Sequence, residues 1–555
     1  MQTSHDIQIT RDVKVPMRDG VLLSADIYQP KAEGEFPAIV VRTPYGKTTD
    51  QSHQTGCFFA ENGYAIMYMD VRGREDSDGE FIPYRNEGID GYDSIEWIAA
   101  QPWCMGKVGT LGGSYLGRVQ WLTALHKPPS LKTMIPLVTP SDPFVEWPTG
   151  LPNPQHICWV YRTSGRVQQN LNVVNWAEVY DHLPMIEMDE KTGRRSEQWK
   201  EEVRHSYLDD YWKHLCYQDK FDQIDLPVLH ISGWYDDEQI GTPLNFIGMT
   251  HTDESKKSKH HQRLLMGPWP HQVNKSTTFG ELEFGPTSII DMHQYQLRWF
   301  DYWLKGIDNQ LMEEAPVQIF VMGENKWRQE QEWPLARTAW TKYYLHSDGN
   351  ANSLFGDGTL SAEKPKIGEP EEDHYRYDPS NPVPFITEMI SSQIGGADDY
   401  SAIERRDDVL VYTTEKLTED LEVTGPVTAE IYASTDGRDT DFMVKLLDVW
   451  PSGYAQRLTD GMVRGRFREG METPKLLEPG EIYPFHVDCW NTSHVFKKGH
   501  KIRIEVASSA FPKYDRNLNT GDELGVTSEM KTANQTIYHN EQHPSAIVLP
   551  VIPKR

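Results

Sequence analysis

Between residues 36 and 138, short and wholly apolar runs alternate with helix-period stretches. That alternation restricts this part of the chain to a mostly parallel sheet with helices on both faces. The runs at 38–41, 65–69, 108–111 and 134–138 are too continuous for strands with one wet face. Residues 90–100, with Ile95 and Ile98 beside Trp97, and residues 115–125 carry helical spacing. Ahead of them, Val13, Val15 and Met17, then Val21, Leu23, Ala25 and Ile27, alternate about Asp19-Gly20, which predicts a hairpin.

The rhythm stops after Pro140. Residues 142–225 are rich in Trp, Tyr, His and charge, with helical stretches at 176–182 and 197–214 and no buried strand. Apolar runs resume at 226–231 and 263–266, and a helix is predicted over 291–304. From Pro316 onward period-two stretches dominate, at 317–320, 343–346, 427–433, 442–448 and 501–506, divided by Gly/Pro/Asp-rich turns. The polar, Pro-rich stretch 347–385 is expected to run over the surface. A chain of 555 residues exceeds one hydrophobic core. The expected division is an α/β core in two parts (1–141 and 226–315), a helical cap (142–225) and a β-sandwich (316–555).

The sharpest local pattern is Val108-Gly109-Thr110-Leu111-Gly112-Gly113-Ser114-Tyr115-Leu116-Gly117. A buried strand meets a serine between glycines, and a helix follows, which is the context of a nucleophile elbow. Small neighbours let strand and helix backbones pass closely. The helix amino terminus directs N–H groups at a developing oxyanion. The pattern departs from G-x-S-x-G, because the second glycine stands three residues after Ser114. A serine hydroxyl needs a base, and in such a fold an acid and then a histidine follow the serine, each just after a strand. The run 226–231 leads into Ser232-Gly233-Trp234-Tyr235-Asp236, and the run 263–266 into Gly267-Pro268-Trp269-Pro270-His271. Asp236 is the expected acid, with Asp237 and Glu238 as competitors, and His271 is the expected base.

Acids outnumber bases 82 to 55, a formal charge of −27, which argues against nucleic acid or an anionic membrane as partner. The cysteines at 57, 104, 158, 216 and 489 form no CxxC pair, so neither a zinc knuckle nor a disulfide framework is expected. His260-His261 reads as a surface pair rather than a metal site. The start shows no leader signature and no run approaches about 18 apolar residues, so a cytoplasmic protein is expected.

Thr43-Pro44-Tyr45, Asp70-Val71-Arg72-Gly73, the segment Gly112 to Gly117, Gly233-Trp234-Tyr235-Asp236 and Gly267-Pro268-Trp269-Pro270-His271 together resemble the cocaine esterase-like branch of the X-Pro dipeptidyl-peptidase family. That branch includes α-amino acid ester hydrolases and glutaryl cephalosporin acylases. Asp439-Thr440-Asp441-Phe442 and Asp460-Gly461 are similar to the family's β-domain. The resemblance spans essentially the whole chain. It implies an α/β-hydrolase core, an inserted helical cap and a C-terminal jelly-roll β-sandwich. It also implies a triad of Ser114, Asp236 and His271, with Tyr45 and the Tyr115 N–H as the oxyanion hole. In the α-amino acid ester hydrolases, carboxylates just after the catalytic aspartate bind the substrate ammonium. Glu238 matches one such position, whereas Gln239 stands where those enzymes carry a second acid. Trp147 either lines the acyl pocket or packs the cap.

The expected activity is cleavage of a small-molecule carboxylic ester or amide through an acyl-enzyme on Ser114, with no cofactor and no metal. An X-Pro dipeptidyl-peptidase, and a non-catalytic protein that binds carbohydrate or a partner, stay open as alternatives. So does assembly into a homo-oligomer.

Overall fold

The computed structural model describes residues 5–253, 255–368, 370–389 and 396–554. A first sheet of ten strands is ordered β1-β2-β4-β3-β5-β6-β7-β8-β11-β12. Its hairpin is β1 (Ile7–Pro16) and β2 (Leu22–Pro30), joined about Asp19-Gly20. Next come β3 (Phe36–Thr43), α1 (Asp50–Glu61), β4 (Ala65–Asp70), α2 (Glu87–Ala99), β5 (Cys104–Gly113), α3 (Tyr115–Leu125) and β6 (Leu131–Leu137). Strands β4, β3, β5 and β6 run parallel, and burial on both faces explains their unbroken apolar sequences. Alternation divides each strand between two cores. Ala38, Val40, Met67 and Met69 pack beneath Ile95, Ile98 and Trp121 of α2 and α3. Ile39, Val41, Ile66 and Tyr68 pack on the other face against Phe59 and Ala60 of α1 and Phe300.

The cap holds α4 (His156–Thr163), α5 (Trp176–Asp181), α6 (Met188–Lys191), α7 (Glu197–Arg204) and α8 (Asp210–Lys213). The stretch 197–214, expected as one helix, is two. Asp209 ends the run by accepting a hydrogen bond from Tyr211 N, capping α8. The cap core of Trp176, Val179, Trp199 and Val203 closes against Phe467 and Leu524 of the C-terminal domain. The core sheet resumes with β7 (Val228–Gly233), α9 (Gly241–Thr250) and β8 (Gln262–Gly267). A short ribbon, β9 (Thr278–Phe279) and β10 (Leu282–Glu283), precedes α10 (Met292–Phe300).

The strand at 317–320, expected as the start of the β-sandwich, belongs instead to the first sheet. Here β11 (Val317–Val321) pairs parallel with β8, and β12 (Lys326–Glu330) turns back antiparallel as its edge. Period two alone does not say which sheet a strand joins, so the seam falls after β12 rather than at residue 316.

The C-terminal domain is a β-sandwich of β13 (Ala339–His346), β14 (Thr359–Ser361), β15 (Glu372–Tyr377), β16 (Leu410–Thr413), β17 (Leu421–Thr435), β18 (Asp441–Val449), β19 (Ala455–Arg464), β20 (Tyr483–Phe496), β21 (Lys501–Ala507), β22 (Ala533–Tyr538) and β23 (Ala546–Ile552). The predicted surface excursion 347–385 contains β14 and β15. In β15, Asp373, Tyr375 and Tyr377 point inward and Glu372, His374 and Arg376 outward, an alternation hidden by its charged residues. The β-sandwich core is one cluster that includes Val427, Ile431, Phe442, Leu446, Phe485 and Ile504.

Candidate active site

Ser114 follows the last residue of β5 and precedes the first residue of α3, with φ 60° and ψ −127°. This conformation is costly for a residue with a Cβ and is held by its surroundings. The Ser114 N–H donates to the carbonyls of Leu137 and Val138 at the end of β6. Its carbonyl accepts from the N–H groups of Gly117 and Arg118. Gly112 has φ +153°, and a Cβ there would sit 2.5 Å from Leu116 Cβ. At Gly117 a Cβ would sit 2.6 Å from Thr139 Oγ1. The late glycine of the motif is therefore a close approach between α3 and the end of β6.

The first-turn N–H groups of α3, that of Tyr115 among them, have no intrahelical acceptor. The Tyr115 side chain points away into the core. Its hydroxyl donates to Glu87 Oε1 at 2.8 Å, and its ring stacks on Tyr84 with centroids 4.4 Å apart. Glu87 is in turn bound by Arg42, so the residue that presents the N–H is fixed from behind.

Tyr45 follows β3. Its backbone N–H donates to Thr43 Oγ1, and its hydroxyl accepts a 2.8 Å hydrogen bond from Trp159 Nε1 on α4. The Arg162 guanidinium lies 4.9 Å from its ring centroid. Burial pushes the phenol up to about 12, against the lowering pull of Trp159 and Arg162. It thus stays protonated at neutral pH, and with the indole filling an acceptor site its own proton is free to donate.

Asp236 follows β7, and its side chain is fully satisfied. Oδ1 accepts from His271 Nδ1 at 2.8 Å and from Glu238 N at 3.1 Å, and Oδ2 accepts from Ser232 Oγ at 2.6 Å. The loops after β7 and β8 are laced together, Trp234 N donating to Gly267 O and Tyr235 N to Trp269 O. In the neutral ring, the bond to Asp236 favours the proton on Nδ1 and leaves Nε2 as the basic nitrogen. Ser114, His271 and Tyr45 line one cavity of about 470 Å³.

Two further carboxylates approach the imidazole. Asp237 Oδ1 lies 3.3 Å and Glu238 Oε2 3.9 Å from His271 Nδ1, and neither oxygen has a hydrogen-bond partner among the described residues. Burial favours the neutral ring, but Asp237, Glu238 and Asp236 outweigh it and hold His271 well above the usual histidine range. Glu146, from the start of the cap, also lines the cavity, and its Oε1 accepts from Ser141 N and Oγ. Burial first, and then neighbouring acids, push Glu146 up to about 8 and Asp237 to about 7, and raise Glu238 well above the carboxylate range.

Among the residues singled out in the sequence, Glu238 and Trp147 both line the cavity. Trp147 also packs in the cap, with its ring 4.9 Å from His156 and 6.0 Å from Trp212. Gln239 is turned away, its amide bonded to the backbone of Trp234 and of Asn491 on β20. His260 and His261 lie apart from the cavity, the His261 ring against Trp303. Glu146, Trp159 and Tyr84, and Trp490 and Lys513 from the C-terminal domain, are cavity residues that sequence reasoning did not single out. The aromatics had only their abundance as a signal. Glu146 is one of 82 acids, with no motif around it.

The family description "X-Pro dipeptidyl-peptidase (S15 family)" matches residues 19–273, and "X-Pro dipeptidyl-peptidase C-terminal non-catalytic domain" matches residues 309–548. Cocaine esterase of Rhodococcus sp. (strain MB1 Bresler) is 36% identical over 98% of this chain and 98% of its own. A solved α-amino acid ester hydrolase is 26% identical with a TM-score of 0.85, covering 99% of this chain and 97% of its own. A solved aminopeptidase from a marine sediment archaeon (Thaumarchaeota archaeon) is 26% identical with a TM-score of 0.84 and the same coverage.

Proposed function

Because the chain belongs to the S15 X-Pro dipeptidyl-peptidase family and is a serine hydrolase of ester or amide bonds, we propose that Ser114, His271 and Asp236 carry its reaction on substrates with a cationic nitrogen near the acyl carbonyl. Ser114 Oγ attacks the carbonyl while His271 Nε2 takes its proton. Tyr45 OH and Tyr115 N–H bind the oxyanion. His271 then protonates the leaving alcohol or amine, and water releases the acid by the same route.

The observation that carries the cationic preference is the pair of buried oxygens on Asp237 and Glu238 that lack a hydrogen bond among the described residues, in a cavity that Glu146 also lines. Buried carboxylates of this kind are costly until a cation meets them. The names of the relatives agree, since an amino acid ester and an aminopeptidase substrate both present an ammonium near the carbonyl. Aromatic walls from Tyr84, Trp147 and Trp159 suit an apolar or aromatic acyl side chain. An amide-cleaving exopeptidase is the second reading, favoured by the same carboxylates.

The test is a matched pair of p-nitrophenyl esters, with and without an α-ammonium, beside a Pro p-nitroanilide dipeptide. The charged ester is expected to have the higher kcat/KM by about tenfold to hundredfold, the worth of about 1.4–2.8 kcal/mol. Glu238→Gln should narrow the gap. Equal rates for both esters would reject the cationic preference, and faster turnover of the dipeptide anilide would favour the exopeptidase.

A further inference from the structure

The loop that carries Asp236 is fastened to the C-terminal domain by the side chain of Gln239. The amide copies the hydrogen bonding of a neighbouring strand. Nε2 donates to Asn491 O at 2.7 Å and to Trp234 O at 3.1 Å, while Oε1 accepts from Asn491 N at 3.1 Å. Gln239 is 1% exposed, so water does not compete for these bonds.

Strand β20 is shaped for this contact. Cys489 and Trp490 together face the single residue Val427 of β17, a bulge in which Trp490 takes φ 63°. Asn491 lies opposite Pro426, which has no N–H to offer its carbonyl. The Gln239 amide takes that carbonyl. A second tie holds the other flank of the loop. Gln456 Nε2 donates to Tyr235 OH at 3.1 Å, and Tyr235 OH donates to Arg457 O at 3.2 Å.

We propose that Gln239 is a positioning residue, through which strand β20 of the C-terminal domain fixes the Asp236 loop and so the imidazole of His271. The domain is thereby part of the catalytic apparatus. A neutral amide is required at 239 because the site presents two carbonyls to Nε2 and the backbone N–H and side-chain amide of Asn491 to Oε1. A carboxylate could satisfy only the two Asn491 donors and would face the carbonyls with a third oxygen. The proposal rests on Asp236 being the triad acid.

The experiment compares wild type with Gln239→Glu, Gln239→Met and Tyr235→Phe, using Asp236→Asn as reference. Fluorophosphonate titration counts folded sites, so kcat is read per competent enzyme. Gln239→Glu and Gln239→Met should lose about tenfold to hundredfold in kcat, the cost of an ångström-scale misplacement, with KM little changed. The acid limb of their kcat/KM profile should move to lower pH as Asp236 loosens its hold on the imidazolium. Tyr235→Phe loses one hydroxyl and keeps its packing. It should show a smaller effect of the same kind, and it carries the test if the Gln239 variants do not fold. Wild-type kcat and pH limb in the folded variants, with Asp236→Asn inactive, would overturn the positioning role alone. Full activity in Asp236→Asn would overturn the triad assignment beneath it.

Discussion

Asp237 and Glu238 stand beside one imidazole and Glu146 lines the same cavity, and the protonation of these three carboxylates sets what the cavity can hold. The folded pKa values of Glu146 and Asp237, about 8 and about 7, lie above those of an unfolded chain. A carboxyl raised on folding binds its proton more tightly in the native state, so its stabilising contribution is present at acid pH and is lost as pH rises through the folded value. Glu146→Gln, which keeps an acceptor for Ser141 and carries no charge, should therefore unfold at a higher temperature than wild type at about pH 9 and at nearly the same temperature at about pH 5. Thermal melts at the two pH values check this. A variant less stable than wild type at both would mean that the charged form is favoured in the folded protein. Ser114, Asp236 and His271 could be picked out from the sequence because each follows a recognisable strand in a fixed order. Glu146 could not be, since it lies on a loop and meets the cavity only through the fold of the cap.

At the scale of elements, helix α4 of the cap reaches down to the end of β3. The Trp159 indole N–H occupies the Tyr45 hydroxyl and orients its proton, while Arg162 lies over the ring. Replacing an oxyanion donor outright costs about a hundredfold to a thousandfold, and disorienting one should cost less. Trp159→Phe keeps the ring and removes the N–H. It is expected to lower kcat by about tenfold with a smaller change in KM, read by steady-state kinetics on one ester. Unchanged kcat would show that Tyr45 needs no partner on the cap. The core strands were legible because burial on both faces leaves an unbroken apolar run. Strand β15 was not, because its inward residues include a buried aspartate and two tyrosines rather than aliphatics. The membership of β11 was not legible either, since a strand's sequence does not name the strand it pairs with.

At the scale of the whole molecule, the division into core, cap and β-sandwich follows from changes of hydrophobic period along the chain. The contacts between the three parts do not, because they rest on single side chains such as Gln239, Phe467 and Leu524. The formal charge of −27 surrounds a cavity that is itself acidic. Such a field draws cationic substrates inward, and salt screens it over about 10 Å at 0.1 M. Raising ionic strength about tenfold should lower kcat/KM for an ammonium ester and leave that of its neutral analogue nearly unchanged. A parallel decline for both esters would assign the salt effect to something other than charge.

The most direct measurement is the mass of the intact protein after reaction with a fluorophosphonate, followed by peptide mapping of the adduct. One phosphonyl group per chain is expected, on Ser114, with ester turnover lost in step with labelling and no adduct formed in Ser114→Ala. Continued turnover by a fully labelled protein, or an adduct on any other residue, would contradict a nucleophile at the β5–α3 elbow.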